Sequence, residues 1–439
     1  MLRAFKNILN LLSRDAPPAA AAIVPVIEVN DAFRLGNEAM AHGELEQAVE
    51  HYSRHIARFP KKPSGYIGRG YALTEQARWT EAIDTLNQAA HLDGSNADVY
   101  YMLGRAYREL GDSSAADLAW GKAHELAPTL EHVYCDYCLL LFQLGKVNQA
   151  LLLMQTGISQ FPLNSRIHFF LGNIHAELGD YPAAVESYRT SLELGDMSPG
   201  LYVSLGPALI QTGDYEGAID ILRKAQELNH QSVNAASNYV MAIQYSDKLS
   251  RAEKFEAAQT FAERFETPLK SYWGQHKQAG ELSNRKLRVG YVSGDFRNHA
   301  LTFFFEPILA CHDKHRFEVY CYYTHPVSDN VTRRIQSLAD HWLSCHEMPD
   351  DALAARIRDD EIDILVDLSG HTGHNRLLTF ARKPAPVQMT WLGYQATTGL
   401  QSMDYRITDE SLDPIGTSEQ FHSEKLIRLS SSGTFSPSP

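Results

Sequence analysis

Along the first half of the chain, small and bulky side chains return at a fixed spacing. Glycine occupies one slot every 34 residues, at Gly36, Gly70, Gly104, Gly172 and Gly206, with Cys138 in the remaining slot. Alanine stands twelve residues after each slot, at Ala48, Ala82, Ala116, Ala150, Ala184 and Ala218. A large side chain stands sixteen after it, at Tyr52, Leu86, Trp120, Met154, Tyr188 and Leu222. A second glycine lies seven after it, at Gly43, Gly111, Gly145, Gly179 and Gly213, replaced once by Ala77. This pattern predicts one helical hairpin per period. Small residues let the two helices approach, the large residue fills the gap to the next repeat, and the turn glycine closes the first helix in a left-handed conformation that other residues adopt at a cost. Pro60, Pro128 and Pro162 fall where the second helix must end, because proline cannot continue one.

A 34-residue period is that of tetratricopeptide repeats. Six of them fit residues 31–232. No single hairpin buries enough surface alone, so stacking supplies the core. Such a solenoid is an interaction surface, expected to take protein or peptide partners. After Gln231 the pattern fades into a helical stretch over 233–265, which is expected to cap the solenoid; cap and linker together span 233–283.

From residue 284 the rhythm changes to short β-branched runs alternating with helical segments. Strands are predicted over 287–293, 317–323, 362–368 and 387–393, and helices over 302–310, 330–339 and 351–359. Apolar strands alternating with helices imply a parallel sheet covered on both faces. The fold class is therefore an α-solenoid followed by an α/β Rossmann-like lobe over 284–429. The Ser/Pro-rich end, 430–439, has the composition of a disordered tail. Residues 1–30 are expected to be a tail with an Ala/Pro linker, although Leu2, Phe5, Leu9 and Leu12 would share one face of a short helix.

Composition narrows the function. The net charge of -13 argues against a nucleic-acid partner, since phosphate binding needs concentrated Lys and Arg. Five cysteines in 439 residues do not suggest a disulfide framework. Cys135 and Cys138 form a C-x-x-C inside a predicted repeat helix, where core packing outweighs redox or zinc chemistry. Asn7 and Asn10 break the only apolar stretch near the N-terminus, against a secretory signal, and no window approaches the roughly 20 apolar residues of a membrane span. A cytoplasmic location is expected.

Ligands of open parallel sheets sit at the carboxyl ends of the strands, and two loops there are unusually polar. One is Ser293-Gly294-Asp295-Phe296-Arg297-Asn298-His299 and the other Ser369-Gly370-His371-Thr372-Gly373-His374-Asn375-Arg376. Neither is a dinucleotide or ATP fingerprint. His371 and His374 lack a third ligand at metal-site spacing, so no metal and no cofactor are expected. Histidine at a strand end suits proton transfer; His299 alone is equally compatible with a hydrogen-bonding residue at a helix N-terminus.

These residues carry a family resemblance. Lys286 through Ser293 with Asp295-Phe296 and Asn298-His299, then Ile364 through Thr372, are similar to the catalytic region of O-GlcNAc transferases and the related SPINDLY proteins. So are Arg382, Pro384 through Gln388, Trp391 through Tyr394, Thr397-Thr398-Gly399, Met403 through Asp409 and Glu424-Lys425-Leu426. The resemblance implies half of a two-lobed, GT-B-type glycosyltransferase that moves a sugar from a nucleotide donor, UDP-GlcNAc or a fucose donor, to Ser or Thr of proteins recruited by the repeats. It implies a catalytic or substrate-positioning role for His299. Asp295, Asn298, His371, Thr372, Tyr394, Thr397 and Thr398 are implied as substrate-binding residues. The family's second lobe would follow Leu429, so this chain alone is expected to be inactive; the alternative is a catalytically dead scaffold that only binds proteins. The residues after the glycine slots, Asn37, Tyr71, Arg105, Leu139, Asn173 and Pro207, are not the uniform asparagine ladder of the animal enzymes.

Overall fold

The computed structural model describes residues 25–274 and 285–429. Expectations for the first 24 residues, for 275–284 and for the tail 430–439 lie outside the described residues. The chain divides between Asp196 and Met197 into two compact units.

The first unit holds five helical hairpins: α1 (Pro25–His42) with α2 (Leu45–Arg58), α3 (Pro63–Glu75) with α4 (Trp79–Leu92), α5 (Ala97–Glu109) with α6 (Ser113–Leu126), α7 (Glu131–Gln143) with α8 (Val147–Gln160), and α9 (Ser165–Glu177) with α10 (Tyr181–Glu193). Asn96 and Asn164 cap α5 and α9 through their side chains, and Asp112 and Asp180 cap α6 and α10, each satisfying an N–H that the helix leaves open. The periodic slots are two halves of one contact. A Cβ on Gly36 would lie 2.7 Å from the Tyr52 ring, and one on Gly70 would lie 2.5 Å from Leu86. Tyr52 also reaches the next repeat, where a Cβ on Gly68 would meet its ring at 2.5 Å. The alanines of the twelfth position are fully buried.

The turns follow the same logic. Gly111 and Gly179 take φ of 80° and 78°, and Ala77, in the equivalent place, is forced to 58°. There Arg78 N–H donates to the Leu73 carbonyl at 3.0 Å and Ala77 N–H to that of Thr74 at 3.1 Å, the closing pair of a helix C-terminus. Cys135 and Cys138 are core residues packed with Met154 and Ile167; burial pushes their thiols up to about 11 and about 12. Asn37 and Asn173 accept the hydroxyls of Tyr52 and Tyr188 at 2.7 and 2.9 Å, so these two amides are engaged within their own repeats.

The second unit begins with one more hairpin, α11 (Pro199–Gln211) and α12 (Tyr215–Leu228), followed by α13 (Val233–Ala242) and α14 (Arg251–Phe265). Then come β1 (Leu287–Ser293), α15 (Ala300–Ala310), β2 (Phe317–Tyr323), α16 (Asn330–Leu338), β3 (His341–Ser344), α17 (Asp350–Asp359), β4 (Ile364–Asp367), α18 (Leu377–Ala381), β5 (Val387–Thr390), β6 (Tyr405–Asp409) and β7 (Lys425–Leu429). The sheet has the order β3-β2-β1-β4-β5-β6-β7 and every pair is parallel. A chain order that reverses at β1 and β4 opens a crevice at their carboxyl ends.

Side chains alternate across the sheet with period two. Val289, Tyr291, Val319 and Cys321 face a core closed by Phe305 and Leu309 of α15 and Ile335 of α16. Val292, Tyr320, Tyr322 and Leu365 face the other core. That second core contains Ala236 and Val240 of α13 and Ala258, Phe261, Ala262 and Phe265 of α14. Within this unit the helical stretch α13–α14 packs on α11 and α12 through α13. It is also a layer of the α/β sandwich, because the apolar stripe of α14 faces the sheet.

Candidate active-site edge

The loop after β1 is anchored by Phe296, which is fully buried and stacks on Phe305 at 5.0 Å. Anchoring that one ring leaves Asp295, Arg297, Asn298 and His299 at the sheet's carboxyl edge. Ser293 Oγ accepts the Asp295 N–H at 2.9 Å, and Asp329 accepts the Asn298 N–H at 2.7 Å. His299 is the N-cap of α15: its Nδ1 accepts the Leu301 N–H at 3.2 Å and lies 3.8 Å from Asp295 Oδ2, while 43% of its side chain stays exposed. A neutral imidazole whose Nδ1 accepts carries its proton on Nε2. His299 therefore presents an N–H, not a lone pair, to the open side. Of the two sequence readings of this residue, the hydrogen-bonding helix N-terminus is the one this bond meets.

The loop after β4 splits in two directions. Asp367, fully buried, accepts the N–H groups of Ser369 and Gly370 at 3.1 and 2.8 Å and the Thr390 hydroxyl at 2.8 Å; burial raises its carboxyl above the ordinary range against these bonds. Thr372 closes the turn with a 2.8 Å bond to the Ser369 carbonyl. His371 was expected at the open edge beside His299. It is instead completely buried. Ser237 of α13 donates its hydroxyl to His371 Nδ1 at 2.9 Å, and His371 Nε2–H donates to the Thr398 carbonyl at 3.0 Å. The Phe261 and Tyr394 rings pack edge-on at 4.8 and 5.4 Å. The physical reason is the helical layer, which covers this part of the sheet edge. Burial pushes the imidazole down to about 4, so His371 is neutral at ordinary pH.

Three further expected residues belong to this buried network. Tyr394 is buried, and its carbonyl accepts from Arg406 at 2.8 Å. Thr397 Oγ1 donates to Glu424 Oε2, and Thr398 N–H to Glu424 Oε1, both at 2.7 Å. His371, Tyr394, Thr397 and Thr398 are thus brought together behind the edge, whereas Asp295, Asn298 and His299 stand on it. His374 of the β4 loop meets the loop after β2: the Thr324 hydroxyl donates to its carbonyl at 2.8 Å, and its ring lies 4.5 Å from that of His325. His325 went unread in the sequence, although it stands two residues after β2 and the same strand-end rule applies to it. Ser237 carried no signal, since nothing local links it to a residue 134 positions away.

In the second unit, helical hairpins wall a parallel sheet whose polar residues stand at the carboxyl edge of β1 and β4. Residues 239–435 match glycosyl transferase family 41, and tetratricopeptide repeat models match 70–111, 97–129, 139–202 and 199–231. From residue 239 on, the chain is similar to that glycosyltransferase family, over the stretch where its motifs resemble O-GlcNAc transferases and SPINDLY proteins. It is similar to the probable UDP-N-acetylglucosamine–peptide N-acetylglucosaminyltransferase SPINDLY of Oryza sativa, at 36% identity over 219 residues, 48% of this chain and 23% of that protein. It is 40% identical over 147 residues to the SEC protein of Arabidopsis thaliana, covering 33% of this chain and 15% of that one. A solved O-GlcNAc transferase mutant of Thermobaculum terrenum superposes with a TM-score of 0.64 at 35% identity, over 69% of this chain and 57% of that one. The chain spans about a quarter of the length of the SPINDLY relative.

Proposed function

We propose that this chain works as the acceptor-side part of a protein O-glycosyltransferase of the O-GlcNAc transferase type, transferring a sugar from a nucleotide donor to Ser or Thr. The observation that carries this reading is the shared core of α14 and the sheet, since the family 41 match begins at residue 239, within α13, and includes that layer. The repeats recruit the protein acceptor. The donor is UDP-GlcNAc, as in the names of the relatives, or a fucose nucleotide. Five unpaired cysteines, and no helix among the described residues long and apolar enough to cross a membrane, support a cytoplasmic location.

In this reading His299 acts through Nε2–H, orienting or stabilising an oxygen that gains charge in the transition state, with Asp295 and the α15 backbone fixing the ring. Asn298 and Thr372 line the same edge. His371, Tyr394, Thr397 and Thr398 act from behind, holding the loops in place.

The test is a chimera. Residues 239–429 of this chain replace the equivalent segment of the Thermobaculum enzyme, and transfer from UDP-GlcNAc and GDP-fucose to an acceptor peptide is measured. Transfer by the chimera, lost with His299→Ala, supports the reading. A chimera that folds, as judged by circular dichroism and a cooperative melt, yet transfers neither sugar overturns it and leaves a protein-binding scaffold.

A further inference from the structure

One guanidinium and two imidazoles converge at the carboxyl edge from three loops. Arg297 comes from the loop after β1, His325 from the loop after β2, and His374 from the loop after β4. The loops are locked together: besides the Thr324 bond to the His374 carbonyl, a Cβ on Gly294 would lie 2.8 Å from the His374 Cβ. His374 holds φ of 57°, a conformation that non-glycine residues adopt at a cost and that clusters at functional sites.

The polar atoms point to a missing acceptor. Arg297 Nε–H is buried and has no hydrogen-bond partner among the described residues, a costly state when nothing fills it. His325 is buried, and its Nδ1 accepts the Val327 N–H at 3.0 Å, which places its proton on Nε2. Burial, with His374, Arg297 and His346 close by, pushes the His325 imidazole down to about 4. His325 is thus neutral at ordinary pH and offers Nε2–H as a donor, and an anion beside it would favour its protonated form. Carboxylates stand on the same loops, and Asp329 of the β2 loop already accepts the N–H groups of Asn298 and Thr332. Asp295 stands 3.9 Å from Arg297 and also faces His299, and Glu347 stands 3.6 Å from His346.

We propose that Arg297, His325 and His374 form an oxyanion subsite at the carboxyl edge of β1, β2 and β4 that takes a phosphoryl group. A guanidinium with a free N–H beside two imidazoles suits the charge and the several acceptor oxygens of phosphate better than a single carboxylate. The phosphoryl group comes either from a nucleotide diphosphate or from the free ion; the chemistry of recognition is the same. This goes beyond the proposed glycosyl transfer and does not depend on it, because binding is read without turnover.

The experiment titrates the full chain, with 13C-labelled histidine, against inorganic phosphate at constant ionic strength and follows the imidazole resonances. Saturable shifts at His325 and His374, with His371 unmoved, are expected. Arg297→Gln should weaken the binding by about tenfold, the loss of one charge-assisted bond. His374→Asn should do likewise, asparagine being chosen because it tolerates φ of that sign. If either variant fails to fold, the other carries the test. Parallel titrations with UDP and GDP separate the sources: tighter binding than phosphate, lost with Arg297→Gln, assigns the nucleotide, and equal binding assigns the free ion. Linear, non-saturating shifts overturn the proposal, as do saturable shifts unchanged in a folded Arg297→Gln or His374→Asn protein.

Discussion

Asn238 of α13 donates its side-chain amide to the carbonyl of Val203 in α11, at 3.5 Å. Val203 is the residue whose helical partner would be the N–H of position 207, and position 207 is proline, inside α11. A neighbouring helix thus meets a carbonyl that the proline leaves without its bond.

That arrangement makes a double-mutant prediction. Asn238→Ala should destabilise the protein by about 1 kcal/mol, because the Val203 carbonyl loses a substitute donor. In a Pro207→Ala background, where the helix supplies its own N–H, the same substitution should cost markedly less. Urea unfolding of the four proteins measures the coupling; equal costs in both backgrounds would show that Asn238 serves something else.

The Ser237–His371 pair predicts a pH dependence. His371 titrates at about 4 in the folded chain and near 6.5 when unfolded. The unfolded state therefore binds more protons between these values. Stability from this residue is fully present above about pH 6.5 and is lost as pH falls toward 4, by up to roughly 3 kcal/mol. His325, also near 4 when folded, adds to the slope in the same window. His371→Asn should lower stability at neutral pH yet flatten the decline between about pH 6.5 and 4 relative to the parent. An unchanged slope would place the protonation elsewhere.

His299 carries two roles that one substitution cannot separate. His299→Ala removes an N-cap and should cost about 1 kcal/mol. His299→Asn keeps a capping oxygen and should leave the melting temperature nearly unchanged. In the chimera both should lower turnover, by roughly 10²–10⁴-fold if a proton moves through the ring. Recovery of activity by asparagine would reduce His299 to a cap.

Ala77→Gly should stabilise the first unit by up to about 1 kcal/mol, since the left-handed turn costs an alanine more than a glycine. The converse change, Gly111→Ala, should destabilise by a similar amount. Thermal melts of both variants decide it, and a neutral Ala77→Gly would show that the lost chain entropy offsets the relief of strain.

The repeats were legible because each slot is a local rule repeated six times: Gly70 and Leu86 declare their contact by spacing alone. The strands β1, β2, β4 and β5 were legible as apolar runs. β3, β6 and β7 were not assigned, because His341–Ser344, Tyr405–Asp409 and Lys425–Leu429 mix charged, polar and apolar residues and their strand character comes from pairing. At the edge, the exposure of His299 followed from its place after a strand. The burial of His371 did not, because it is decided by Ser237 and Phe261, more than a hundred residues away in sequence. Long-range covering of this kind leaves no trace in a local pattern.

The double allegiance of α14 bears on how such a chain can change in evolution or in the laboratory. Phe261 and Phe265 belong to the sheet's core, so a cut placed at the visible change of rhythm near residue 284 would strip one wall from the α/β lobe and expose its aromatic lining. Repeats ahead of α11 are a different matter. Among the described residues, that core draws on nothing ahead of α13, so changes in the earlier repeats leave the aromatic lining in place while changes in α14 do not.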